Sequence, residues 1–248
     1  MHETDILGIR INNMGMDEAF GETVKLLKKG SPAIVFTPNS EIIYMAKNDE
    51  EFRNVLNSSD INTADGIGVI YASRLLKDPI PERVPGYDLA CRLISYMNEN
   101  KSSLFLFGGK PGVAETAAEK ISAEYPDINI CGTQNGYFDS SEEIIAKINA
   151  ADPDFVFVCL GAPKQEKWMF EHKDELNLKV MLGLGGSLDV FAGNVKRAPK
   201  FFIKLNIEWF YRLITNPSRI GRMTALPKFG FAVLKYKFKK KGKKDEQG

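Results

Sequence analysis

Short apolar runs alternate with amphipathic stretches along the first 195 residues of the chain. This alternation is typical of a parallel sheet whose strands are joined by crossover helices. The pattern predicts an α/β fold, with a Rossmann-like, mostly parallel sheet flanked by helices. The predicted strands are ILGIRIN (6–12), AIVFT (33–37), SLFLFGG (103–109), INICGT (128–133), FVFVCLG (155–161) and KVMLGLGG (179–186).

Between several of these runs, apolar positions recur every three or four residues, as in helices that bury one face. The predicted helix at 112–125 is also rich in strong helix formers, and Pro111 or Gly112 marks its start. The predicted helices include DEAFGETVKLLKK (17–29), GYDLACRLISYMNENK (86–101) and GVAETAAEKISAEY (112–125).

The chain changes character near Pro199, where it becomes aromatic and basic. Residues 196–248 hold fifteen Lys and Arg against three acids, a balance of +12, whereas residues 1–195 carry a balance of −11. We therefore divide the chain into an α/β domain at 1–195 and a basic, aromatic C-terminal appendage at 196–248. An acidic body with a basic tail indicates an anionic partner, either a membrane surface or a nucleic acid.

One face of the last predicted helix carries Leu226, Phe229, Val233 and Tyr236, spaced three or four residues apart, and seven lysines lie within 235–244. This combination predicts a helix that lies in the membrane interface, with its apolar side chains at the acyl boundary and its lysines on anionic headgroups. Each such lysine contributes about 1 kcal/mol. The alternative is a solvated tail that follows a core helix.

The tail lysines also interleave with Tyr236 and Phe238, a pattern that suits stacking on bases and neutralising phosphates. In that alternative the chain is a basic-tailed nucleic-acid-binding protein rather than an enzyme. The acidic body argues against a long nucleic-acid track. We therefore expect a membrane surface and no nucleic acid as the anionic partner, and the sequence leaves a homo-oligomer open.

Signals for secretion, membrane spanning and metal binding are missing from the sequence. The start MHETDILGIRI carries acids where a secretory signal needs basic residues, and the longest apolar runs fall short of the ~20 residues that span a bilayer. We therefore expect a cytoplasmic chain. The three cysteines and two histidines have no recognised zinc spacing. An Asp-x-Asp string, DPD (152–154), precedes a predicted strand, and we interpret it as a turn at the wrong end of the sheet for a ligand.

Glycine-rich turns follow three predicted strands, within LFLFGGKPG (104–112), VFVCLGAPKQEKW (156–168) and MLGLGGSLDVFAGN (181–194). Ligands of open α/β sheets bind beyond the carboxyl ends of the strands, so three such turns favour a nucleotide site, although each alone is equally a structural turn. None has the P-loop pattern. A nicotinamide- or SAM-dependent enzyme needs a glycine fingerprint after its first strand, where RINNMGMDEA (10–19) offers one glycine.

Seven motifs stand in the order in which one known family has them. They are TPNSEII (37–43), TADGIGV (63–69), ERVPGYDL (82–89), FGG (107–109), NGYF (135–138), GAPKQE (161–166) and GLGGSLDVFAGNVKRAP (183–199). Together they resemble the WecG/TagA/CpsF glycosyltransferases over nearly the whole chain. The tail segment EWFYRLITNPSRIGR (208–222) is similar to the C-terminal appendage of that family.

The resemblance implies an enzyme that transfers a sugar from a nucleotide donor to a polyprenyl-diphosphate-linked sugar, as a peripheral protein on the inner face of the cell membrane. The sequence is most similar to the TagA branch, which moves N-acetylmannosamine from UDP-ManNAc to undecaprenyl-diphosphate-linked GlcNAc and so forms the wall teichoic acid linkage disaccharide. Other branches use UDP-ManNAcA or UDP-glucose. The resemblance implies a UDP-sugar substrate, and because the sequence has no evident metal site we expect no cofactor or metal.

Asp65 is the candidate catalytic base. It lies in the turn between a strand-like and a helix-like segment, among small residues that let an acceptor sugar approach. A base must take the proton of the acceptor hydroxyl as that oxygen attacks the anomeric carbon. The resemblance gives the same role to this position. The alternative is that Asp65 caps the helix that begins near Gly66.

Arginines are the candidates for stabilising the diphosphate that leaves, because a guanidinium holds phosphate oxygens bidentately and stays charged. Arg83 is one candidate, and the resemblance implies that Arg212, Arg219 and Arg222 of the appendage reach over the site. The alternative is that these three face anionic lipid.

The remaining candidates follow other strands of the sheet. Thr37 and Asn39 offer a hydroxyl and an amide for sugar contacts, and Gln165 offers an amide hydrogen bond to a diphosphate oxygen or to the acceptor. The candidates for binding uridine are Gly109, Asn135, Tyr137 and Asp189, with Tyr137 stacking on the base and Asp189 accepting a hydrogen bond from uracil or ribose. The alternative for two of them is structural, with Asn135 a turn residue and Tyr137 a core residue.

Overall fold

The computed structural model describes residues 1–205, 207–215 and 224–245. The strands are β1 Glu3–Ile6, β2 Ile9–Asn12, β3 Ala33–Phe36, β4 Ile61–Asn62, β5 Ser103–Gly108, β6 Asn129–Gln134, β7 Phe155–Cys159 and β8 Val180–Gly183. The helices are α1 Met16–Leu26, α2 Ser40–Asn48, α3 Glu50–Asn57, α4 Ile67–Leu75, α5 Gly86–Asn100, α6 Val113–Glu124, α7 Ser141–Ala151, α8 Lys164–His172, α9 Ser187–Phe191, α10 Lys200–Lys204, α11 Glu208–Thr215 and α12 Ala225–Asp245.

The main sheet has six strands in the order β4-β3-β8-β7-β5-β6, and every neighbouring pair is parallel. Helices cover both faces of this sheet. The predicted α/β fold with a Rossmann-like parallel sheet is therefore confirmed, and the strand predicted at 33–37 and the four that follow it along the chain agree with the structure to within a few residues at each end.

Strand β7 shows why these runs are continuously apolar. Its five residues are all buried, and they alternate between two cores. Phe155, Phe157 and Cys159 belong to the core that includes α1, α5, α6 and α9. Val156 and Val158 belong to the core that includes α2, α3, α4, α7 and α8. A central parallel strand buries both faces, so each of its positions is apolar.

The single strand predicted at 6–12 is wrong, because the structure has a hairpin there. β1 and β2 pair antiparallel, and the turn between them holds Leu7 and Gly8 at φ 59° and 87°. The Asp5 carboxylate accepts a hydrogen bond from the Gly8 N–H at 2.8 Å, which stabilises this turn. Leu7 is itself buried, so the apolar pattern continues through the turn and hides it.

Helix α12 packs on the body against α2 and α4. Phe229 and Val233 are buried in the core on that face of the sheet, and the Tyr236 hydroxyl donates a 2.7 Å hydrogen bond to Asp5 Oδ2. The prediction that this face lies in a lipid acyl boundary is therefore wrong for Phe229 and Val233, and the alternative of a core helix describes them. Leu226 is half-buried.

Replacing Phe229 by Ala is expected to lower the free energy of unfolding by about 3–5 kcal/mol, because it leaves a cavity in this core. Phe231→Ala is the matched control, since Phe231 is 74% exposed two residues along the same helix; its expected effect is within about 0.5 kcal/mol. Chemical denaturation of both variants measures the difference. Equal losses for the two would contradict the packing of α12 on the body.

Within the described residues, no helix is both long and apolar enough to cross a bilayer. The division of the chain at 195/196 stays a prediction. The packing of α12 shows only that part of the predicted appendage shares a core with the α/β body.

Candidate active site

The carboxyl ends of the six parallel strands lie along one edge of the main sheet, where ligands of such sheets bind. β3 and β7 lead into helices on one face of the sheet, and β8, which lies between them, leads into α9 on the other. The chain therefore diverges on both sides of β8. Thr37 and Gln165, which follow β3 and β7, flank this divergence, and Asp65 follows β4 next to β3.

The segment that carries Asp65 is hydrogen-bonded to the segment that carries Arg83. Thr63 Oγ1 donates to the Val84 carbonyl at 3.2 Å, and the Val84 N–H donates to the Ala64 carbonyl at 2.9 Å. The candidate base and the candidate guanidinium are thus held on adjacent stretches of chain at the same edge of the sheet.

The Asp65 side chain contacts the start of helix α5. Its Oδ2 accepts a long hydrogen bond of 3.4 Å from the N–H of Gly86, the first residue of that helix. Helix α4 follows Gly66, which stands at φ 101°, where glycine is favoured. A cap of α4 would accept from the first amides of α4 instead. The carboxylate is half-buried, and its role as a base stays a prediction.

Thr37 and Asn39 are held by the fold in different ways. Thr37 Oγ1 donates to the Gly183 carbonyl at 3.0 Å and so links β3 to β8. A Cβ at Gly86 would lie 2.7 Å from that oxygen, so the start of α5 passes directly beside Thr37. Asn39 caps α2, because its Oδ1 accepts from two backbone N–H groups at 2.9 and 3.1 Å. The group of Asn39 that would bind a sugar is therefore its side-chain Nδ2, as a hydrogen-bond donor.

Gln165 joins two of the glycine turns. Its Oε1 accepts a 2.8 Å hydrogen bond from the N–H of Gly185, and its Nε2 donates at 2.8 Å to Oε1 of Glu166. Gly185 has φ 55°, so this turn uses the left-handed region. Gln165 is buried. Its amide is therefore engaged within the protein, and contact with a diphosphate stays a prediction.

An ion pair connects the site to the appendage. Arg83 Nη1 lies 3.4 Å from Oε2 of Glu208, the first residue of α11, and the two side chains are 15% and 10% exposed. Arg212 belongs to the same helix, and its reach over the site stays a prediction. Arg219 and Arg222 lie outside the described residues.

Three of the four uridine candidates, Gly109, Asn135 and Tyr137, lie toward the other end of the same edge, and Asp189 follows the central strand β8. The Gly136 N–H donates to the Gly109 carbonyl at 2.9 Å, which brings the loops after β5 and β6 together. Asn135 Oδ1 accepts from the Tyr137 N–H at 2.9 Å, as the turn alternative expects. Tyr137 is 66% exposed, so the core alternative is wrong for it. Asp189 is half-buried in the first turn of α9.

The Asp-x-Asp string lies at the opposite end of the sheet, before β7, as predicted. Asp154 Oδ1 accepts from Lys179 at 2.6 Å, and its Oδ2 accepts from the Ser103 N–H at 2.9 Å. In the described ranges, no group of three or more His, Cys, Asp or Glu side chains is arranged to hold a metal ion.

Comparison with known proteins identifies the family. The sequence model described as "Glycosyl transferase WecG/TagA/CpsF family" matches residues 4–243. The chain belongs to this family. The resemblance carried by the seven motifs is therefore confirmed, and the chain is a glycosyltransferase by membership of the family.

Two relatives illustrate the similarity. A protein of Bacillus subtilis strain 168 is 44% identical over 209 residues, which are 84% of this chain and 82% of the relative. A protein of Staphylococcus aureus strain MRSA252 is 37% identical over 241 residues, 96% of this chain and 94% of the relative. Both bear the name N-acetylglucosaminyldiphosphoundecaprenol N-acetyl-beta-D-mannosaminyltransferase.

Proposed function

We propose that this chain transfers N-acetylmannosamine from UDP-ManNAc to undecaprenyl-diphosphate-linked GlcNAc, a step in making the wall teichoic acid linkage unit. The names of relatives that align with most of the chain support this activity. The observation that supports it most directly is the hydrogen-bonded pair of segments that hold Asp65 and Arg83 at the ligand edge of the sheet.

The reaction is an inverting displacement at the anomeric carbon. The acceptor hydroxyl oxygen forms a bond to that carbon while the bond from the carbon to the diphosphate oxygen breaks. The hydroxyl proton passes to the Asp65 carboxylate, and the electron pair of the broken bond leaves with UDP. Arg83 stabilises the charge that develops on the leaving diphosphate, together with Arg212, Arg219 and Arg222.

The donor sugar is the part of the proposal that needs a direct experiment. The full chain is given UDP-ManNAc, UDP-ManNAcA or UDP-glucose with a lipid-diphosphate GlcNAc acceptor, and UDP release is measured with and without the acceptor. We expect acceptor-dependent release from UDP-ManNAc. Faster acceptor-dependent release from either of the others would assign the chain to another branch of the family and overturn the proposed donor.

We further propose that the chain docks on the inner face of the cell membrane, the surface that holds its lipid-linked acceptor. The outer face of α12 makes this contact. Phe231, Leu234 and Phe238 are exposed and spaced i, i+3 and i+7, so they form one stripe. Helical geometry puts this stripe opposite Phe229 and Val233. Three exposed lysines of the same helix, Lys228, Lys235 and Lys239, flank the stripe.

Replacing both Phe231 and Phe238 by Ser is expected to lower binding to anionic vesicles by at least about tenfold, because burying each ring contributes about 1.5–3 kcal/mol. Flotation with vesicles that contain phosphatidylglycerol measures the bound fraction. Phe170→Ser is the control, since Phe170 is an exposed aromatic residue on α8. Binding of the double variant at the level of the control would rule out this stripe as the docking surface.

A further inference from the structure

A buried carboxyl group lies beside the candidate site without a role in the proposed reaction. Glu166, in the first turn of α8, is 1% exposed. Its Oε1 accepts from Gln165, and its Oε2 has no hydrogen-bond partner within the described residues. Burial raises the pKa of this carboxyl. A carboxyl buried with one oxygen unsatisfied costs stability, so packing alone gives no reason for a glutamate here.

The one hydrogen bond of Glu166 determines which way the Gln165 amide points. Gln165 Oε1 faces the Gly185 N–H, and its Nε2 faces Glu166. If the amide were turned by 180°, its Nε2 donors would face the Gly185 N–H donor. The Glu166 oxygen is an acceptor and holds the Nε2 on its own side, so it maintains the orientation that the Gly185 turn requires.

These contacts continue across the sheet to the candidate base. Gln165 also packs against Gly183, where a Cβ would lie 3.1 Å from Nε2. The Gly183 carbonyl accepts from Thr37, Thr37 abuts Gly86, and the Gly86 N–H donates to Asp65. A continuous series of contacts therefore runs from Glu166 along the ligand edge to Asp65.

We propose that Glu166 is a positioning residue for glycosyl transfer: it fixes the Gln165 amide and, through it, the 183–186 segment, which lies at the carboxyl end of β8 between the strand before Asp65 and the strands before the uridine candidates Gly109 and Tyr137. It touches neither substrate nor reacting atoms. The proposal rests on the glycosyltransferase function proposed above. Loosening this segment misplaces the reacting groups, and a misplacement of about 1 Å lowers turnover by about 10²-fold.

Two substitutions separate this role from a purely structural one. Glu166→Leu removes the acceptor, and we expect kcat to fall about 10²-fold while the melting temperature stays equal to or above that of the wild type. Glu166→Gln keeps an oxygen acceptor and is expected to keep kcat within about threefold. The same two substitutions at Glu171, exposed on the same helix, are the controls and should leave kcat unchanged.

Hydrogen exchange of the Gly185 amide gives a readout that does not depend on activity. This N–H is bonded to Gln165, so Glu166→Leu should speed its exchange, and Glu166→Gln should not. Unchanged kcat and exchange in Glu166→Leu, or equal losses in Glu166→Gln, would overturn the proposal. If the wild type releases no UDP from any donor, the proposed function fails, and the exchange experiment alone then decides whether Glu166 holds this segment.

Discussion

Asp65→Asn is expected to keep the fold and to lose about 10²–10⁴-fold in kcat, the range that a placed general base contributes. The amide oxygen of asparagine can still accept the long hydrogen bond from the Gly86 N–H, so the start of α5 stays in place. The amide cannot take the proton of the acceptor hydroxyl. UDP release with the lipid-linked acceptor measures turnover, and circular dichroism with thermal denaturation measures the fold.

The chain provides a matched control in Asp49, an aspartate that does cap a helix. Its side chain accepts from the Phe52 N–H at 3.0 Å in the first turn of α3. Asp49→Ala is expected to cost about 1 kcal/mol of stability and to leave kcat unchanged. Asp65→Ala should show the reverse, a stable protein with little turnover. If the two alanine variants behave alike, Asp65 is a cap and the proposed mechanism has no base.

Arg83→Gln is expected to lower kcat/KM by about 10²–10³-fold, as the loss of one preorganised group that stabilises developing charge does. This substitution also breaks the largely buried ion pair with Glu208, and breaking a buried pair destabilises a protein by about 3–5 kcal/mol. The effect on activity must therefore be separated from the effect on the docking of α11.

A double-mutant cycle with Glu208→Gln makes that separation. We expect Glu208→Gln alone to stay active, because Arg83 keeps its charge for the diphosphate. The double variant should regain stability relative to Arg83→Gln and remain as inactive. If Glu208→Gln is as inactive as Arg83→Gln, and the double variant is no worse, then Arg83 acts by anchoring α11 and makes no contribution of its own to the leaving group.

The sheet is predictable from the sequence because its central strands are buried on both faces and therefore apolar throughout, as β7 is. The hairpin of β1 and β2 is not predictable in this way, since buried Leu7 continues the apolar run through the turn. Strand β4 has two residues, too few to show any period, although the TADGIGV motif (63–69) begins directly after it.

The candidate site was predictable to the extent that it follows strands. Parallel strands bring their carboxyl ends to one edge, so Thr37, Asp65 and Gln165 could be assigned there because each follows a strand-like run. Glu208 was missed because its partner is 125 residues away in the sequence, and no local pattern records such a pair. Glu166 was recognised only as the last residue of the GAPKQE motif and was given no role, since burial of a glutamate cannot be inferred from its neighbours.

The face of α12 with Phe229 and Val233 was assigned to lipid because periodicity shows that a face is apolar without showing what covers it. The structure assigns that face to the core and leaves a second apolar stripe outside. Two opposed apolar stripes on one helix are hard to recognise from the sequence. Apolar residues on both faces reduce the difference in hydrophobicity between the faces, and this difference is what reveals an amphipathic helix.

The hydrogen bond between Tyr236 and Asp5 has a consequence for biosynthesis. At about 5–20 residues per second, the ribosome adds residue 236 roughly 10–50 seconds after residue 5. Throughout that interval the growing polypeptide lacks Phe229 and Val233. The faces of α2 and α4 that these side chains cover in the finished protein therefore stay exposed. The outer stripe of α12 emerges with the same residues, so the polypeptide acquires the proposed docking surface only as its core is completed.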